Sequence, residues 1–173
     1  MISLTAMMMT LIRLGGLAAV LAGILRLLSS ILPTTSPRIM ALYLVIDILL
    51  LISSIGLFEF QRLEAGIPGK LALLLQVLGA LVLIGRDLAI LSDAFYPIGA
   101  LTFAVGLDLF AITSWKAKNL PRWVLFLLIL STVIGPIGFF SPSLSMLFVV
   151  SGMAFGIGFA SAGGAICFLR HRR

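Results

Sequence analysis

Four ionisable residues of this 173-residue chain sit well inside long apolar runs: Arg26, Asp47, Arg86 and Asp108. A charge in hydrocarbon costs several kcal/mol unless it is paired or wetted, so intramembrane ions hold a structure together or line a polar path. Both chemistries are open to two guanidiniums and two carboxylates. As ion pairs, Arg26 with Asp47 and Arg86 with Asp108, they would fix which helix faces which. As the lining of a vestibule they would admit a small anion or protons. Arg86 follows Arg26 at the interval, to within one residue, at which Asp108 follows Asp47. The first two apolar runs therefore echo the next two, as a parallel repeat would.

The elements that must position these residues are membrane helices. With 61% hydrophobic and 10% charged residues, the chain is too apolar for a soluble domain, whose apolar share is about half. Six runs near the roughly 20 residues that span a bilayer are expected as helices, over 11–32, 39–60, 71–91, 98–115, 123–140 and 146–169. Breaker-rich or polar stretches separate them, among them Pro33 to Arg38, Gln61 to Lys70 and Ser92 to Pro97. Arg13 before the apolar stretch Leu14 to Leu25 imitates a secretory signal; without a clear small-x-small site after it, we read a retained first helix. The expected fold is all-α, one transmembrane domain over residues 1–173 built as three helical hairpins, with no separate soluble domain.

Cations assign the sides. Arg62, Lys70, Lys116, Lys118, Arg122, Arg170, Arg172 and Arg173 fall on one side, with Arg38 and the borderline Arg86 on the other, so both termini are expected in the cytoplasm. Trp115 and Trp123 bracket the cationic stretch 116–122 at headgroup level. The net charge of +6 thus reflects orientation and contact with anionic lipid, and nucleic acid is not an expected partner. The class resembles small six-helix proteins of bacterial plasma membranes.

Helical rise puts Arg26 about 9 Å and Asp47 about 12 Å inside the outer ends of their spans, with roughly 8 and 15 Å for Arg86 and Asp108. Gly15, Ala19, Ala22 and Arg26 share one helical face, and Gln76, Gly79, Leu83 and Arg86 share another, so both arginines should point into the bundle. Asp87 and Asp93 would complete the charge balance near the outer surface.

An enzymatic alternative makes Asp47 and Asp108 a proton-sharing pair. The segments Tyr43-Leu44-Val45-Ile46-Asp47 and Gly106-Leu107-Asp108 distantly resemble those of intramembrane aspartyl proteases. Ile46 stands where that family has Tyr before the first Asp, and Leu107 where it has Gly before the second. Two nearby arginines would also ionise both carboxylates, which defeats a dyad needing one proton.

Other chemistries lack their residues. The one histidine, His171, lies in the tail, so no histidine can ligate haem or a di-iron centre within a span. No lysine inside a span offers a retinal Schiff base, and neither a nucleophile elbow nor a P-loop occurs. No cofactor, metal site or catalysis is expected. Cys167, the lone cysteine, reads as a small buried hydrophobe.

The last span carries Gly152, Gly156, Ala160 and Gly164 at four-residue intervals, a face on which another helix can pack closely. Pro136 should kink the fifth span, with Ser131 and Thr132 available to satisfy the freed backbone groups. By elimination, the expected function is a non-catalytic membrane subunit or scaffold that uses the Gly-rich face against another subunit or a second copy. The alternative is a small transporter or channel with an outer-half Arg/Asp cavity.

Overall fold

The computed structural model describes the backbone of residues 4–32 and 37–169 and the side chains of residues 7–32 and 39–167. The Arg38 side chain and the basic tail of Arg170, His171, Arg172 and Arg173 lie outside the described residues. The described chain is helical almost throughout: α1 (Leu4–Ile31), α2 (Pro37–Asp87), α3 (Tyr96–Ala117), α4 (Arg122–Phe140) and α5 (Ser145–Leu169). Short 3-10 turns, Asp93–Phe95 and Pro142–Leu144, lead into α3 and α5. All five helices are long and apolar enough to cross a membrane, and the chain is an integral membrane protein.

The difference from the sequence expectation lies in α2, which joins the expected second and third spans. Its 51 residues would measure about 77 Å as a straight rod, more than twice a hydrocarbon core. The stretch expected as a loop, Gln61-Arg62-Leu63-Glu64-Ala65, consists of good helix formers, and Glu59 pairs with Arg62 one turn on at 3.6 Å. Helix therefore continues to Ala65 and resumes immediately beyond a single break at Gly66, whose φ of 56° and ψ of −154° belong to glycine alone. Asp47 on the first arm (37–65) and Asp87 on the second (67–87) face the same cavity. Forty residues of straight helix would separate them by about 60 Å, so the chain bends back at Gly66.

Small residues set the other contacts. Gly15 of α1 meets Gly56 of α2 backbone to backbone, so a Cβ on either would enter the opposite chain. Gly79 and Gly99 sit where the second arm crosses α3, and α4 packs on α5 where Gly135 faces Ser151. The helices thus follow one another around an axis, with α5 returning to α1 and α3 meeting α4 along a thinner seam.

The two ends differ in filling. Near residues 61–70 and 118–121, the axis is packed with Leu57, Phe110, Val124, Leu125, Leu128, Phe159 and Ile166. There the Gln61 amide donates to the Ser114 hydroxyl, which donates to the Phe110 carbonyl at 2.7 Å. Asn119 likewise donates to Glu64. The other end, bounded by residues 88–95 and 141–145, is hollow.

Candidate functional site

The hollow end holds a cavity of about 690 Å³, within the range of small-molecule sites. Its walls are chiefly apolar and aromatic, with Phe103, Phe139, Phe148 and Phe155 among them; Ser131 and Thr132 of α4 and Ser151 of α5 add hydroxyls, and its helical charged groups and tyrosines come from the other three helices. Helix α1 contributes Arg26, α2 contributes Tyr43, Asp47, Arg86 and Asp87, and the start of α3 contributes Tyr96. Asp93 also lines it and is 86% exposed, so the cavity reaches the surface at that end.

Arg86 is held by two acids close in sequence, not by Asp108. Its Nη1 donates to Asp87 Oδ1 at 2.7 Å and its Nε to Asp93 Oδ1 at 2.9 Å, while the guanidinium lies 5.4 Å from the Tyr96 ring centroid. The cause is local. The second arm ends at Asp87, and the chain reverses through Ala89 at φ 56°, with Ile90 and Leu91 both donating to the Gly85 carbonyl. That turn returns Asp93 to the guanidinium. Asp108 lies three turns down α3 and accepts from the Thr132 hydroxyl of α4 instead. The expected Arg86 and Asp108 pair is therefore corrected to an Asp87, Arg86 and Asp93 triplet.

Arg26 and Asp47 do line one cavity, as the sequence suggests, but no ion pair within 4 Å joins them among the described residues. The Arg26 guanidinium lies 5.6 Å from the Tyr43 ring centroid, at cation–π range, and beside the Tyr96 hydroxyl. Asp47 is buried, and its carboxyl lies against that of Asp87. The Asp87 side chain is 2% exposed, and its Oδ2 has no hydrogen-bond partner. All six aspartate and glutamate side chains of the chain are among the described residues, and none of them lies within 4 Å of the Arg26 guanidinium.

The proton-sharing pair of Asp47 with Asp108 does not form: Asp108 bonds to Thr132 on the α3–α4 seam, and the carboxyl beside Asp47 belongs to Asp87. No three His, Cys, Asp or Glu side chains gather as a metal site among the described residues.

The Gly-rich face of α5 packs largely inside the chain. Gly152 abuts Ser30 of α1, Gly156 and Ala160 abut Gly23, and only Gly164 faces open space. Helix α4 runs through Pro136 as one helix; Pro136 lines the cavity, and the Ser151 hydroxyl donates to the Ser131 carbonyl at 2.8 Å one turn before it.

Sequence reasoning missed Tyr43 and Tyr96 as members of this site. They are the only two tyrosines of the chain, and each lies under one cavity arginine. The signal was present in part: Tyr43 precedes Asp47 by four residues, hence on the same helical face. No protein-family model, characterised protein or solved structure is significantly similar to this chain.

Proposed function

We propose that this protein is a small membrane carrier that takes a low-molecular-weight solute into the cavity of its hollow end. One observation carries the reading: a cavity of about 690 Å³, reaching the surface at Asp93, is lined by Arg26, Asp47, Arg86 and Asp87 over a solidly packed opposite end. Buried ions around a pocket of solute size are the usual mark of a transport path in a membrane bundle. A blind end is what a carrier needs, because a pore open at both ends would conduct.

The scaffold reading draws less support. The face it offers to a partner is taken over most of its length by α1, leaving Gly164. In the carrier reading the two arms of α2 are separate crossings, making six crossings in three hairpins. The cationic stretches 61–70 and 116–122 then face the cytoplasm of a bacterial cell together with both termini, and the cavity faces outward.

The test uses thiols on α3 in a Cys167→Ala background. Ala104 lines the cavity, whereas Ala111, two turns further on, is fully buried in the packed end. In sealed vesicles, Ala104→Cys should react with a membrane-impermeant maleimide applied from the outward side, and Ala111→Cys should not. Absence of reaction at Ala104→Cys from either side would favour a dry scaffold. Equal reaction from both sides together with ion conductance would favour a channel.

A further inference from the structure

From the charges left uncommitted in this cavity, we infer that its solute is a zwitterion bearing one carboxylate and one ammonium on an apolar body, as in an apolar amino acid. The inference rests on the carrier reading and adds the chemical class of what is carried. Arg86 is satisfied by two carboxylates, so it offers a ligand little. Arg26 has no carboxylate within 4 Å, though it lines the cavity and already lies against an aromatic face. Nearby, Asp47 lies against Asp87, and the buried Oδ2 of Asp87 accepts from no donor. Two carboxyl groups in contact away from water hold a proton or a positive group between them, and the ammonium of a ligand can take that proton's place. The cavity thus presents one guanidinium without a carboxylate, Arg26, and one carboxyl pair that can accept an ammonium, Asp47 with the free oxygen of Asp87, with aromatic walls beside both.

A simple cation would answer the carboxylates and meet repulsion from Arg26. A simple anion would answer Arg26 and meet Asp47. A zwitterion satisfies both at once, its carboxylate on Arg26 and its ammonium on Asp47 and the free oxygen of Asp87. The apolar body then lies among Phe103, Phe148 and Phe155. The same pair of charges occurs in a free amino acid and, with phosphate for carboxylate, in a phospholipid headgroup. A wall of phenylalanines at the bilayer's own depth does not by itself separate the two, so the experiment must.

The full chain is placed in nanodiscs of phosphatidylglycerol, which carry no zwitterionic headgroup, and binding of radiolabelled L-phenylalanine is measured against its methyl ester and its N-acetyl derivative. The zwitterion should bind at least ~tenfold more tightly than either singly charged analogue, the scale of one well-made charge contact. Arg26→Gln should erase the advantage over the ester, and Asp47→Asn the advantage over the N-acetyl compound. Should either variant fail to fold, the comparison of three ligands on the native chain still decides. A preference for the ester makes this a cation site, and a preference for the N-acetyl compound makes it an anion site; either overturns the inference. Phosphatidylethanolamine added to the nanodiscs should leave binding unchanged, and displacement would assign the site to a headgroup and overturn the free solute. If none of the three binds at millimolar concentration while Ala104→Cys still reacts, the solute class is wrong and the carrier reading stands. If Ala104→Cys is unreactive as well, both fall.

Discussion

At one end of the bundle Phe110, Leu125, Leu128 and Phe159 fill the axis; at the other, the same helices surround a cavity lined by Arg26, Asp47, Arg86 and Asp87. The difference is one of side-chain chemistry more than of backbone. Facing positions of the packed end carry large apolar groups, and its polar groups bond among themselves, Gln61 to Ser114 and Asn119 to Glu64. In the hollow end the facing positions carry charges, which cannot be packed at carbon density without losing their solvation. Apolar burial is concentrated in the first end and the charges in the second.

Removing a large side chain from each end sharpens the contrast most. Phe159→Ala opens a void in a fully buried layer and should cost about 4 kcal/mol, whereas Phe148→Ala only enlarges a space already there and should cost about 1 kcal/mol. Denaturant unfolding in mixed micelles measures both, and equal losses would erase the distinction between the ends. Next in size is Gly66→Ala, which puts a Cβ on a glycine-only conformation and should destabilise the fold by roughly 2 kcal/mol. An unchanged midpoint would mean that the two arms of α2 are not joined by this bend.

Ser114→Ala follows. It strips the amide of buried Gln61, whose Oε1 is already unpartnered, and should cost about 1 to 2 kcal/mol in the same assay. Asp93→Asn is the mildest. Asp93 is exposed at the cavity mouth, so its pair with Arg86 contributes at most about 1 kcal/mol, and the midpoint should hardly move. A loss as large as that of Phe159→Ala would show that the mouth, not the packed end, holds the bundle together.

Much of the fold was legible because hydropathy and length report directly on membrane helices. The bend at Gly66 was legible only as a loop, since Glu59, Arg62 and Glu64 carry the polarity of a loop and the propensity of a helix. Of the site, Arg26, Asp47 and Arg86 could be named from their depth in apolar runs and do line the cavity. Their partners could not be named the same way. Depth along a helix says nothing of azimuth, so Asp108 could be matched to Arg86 by height although it turns toward Thr132. Tight turns carry the rest: Asp93 reaches Arg86 only because the chain reverses at Ala89, a geometry with no glycine to announce it.

The asymmetry itself is measured most directly by hydroxyl-radical footprinting of the intact chain in nanodiscs, reading each phenylalanine by mass spectrometry. The account predicts oxidation of Phe139, Phe148 and Phe155 around the cavity and protection of Phe110 and Phe159 in the packed end. Uniform protection along the whole bundle, or oxidation of Phe110 and Phe159 at the rate of Phe148, would contradict it.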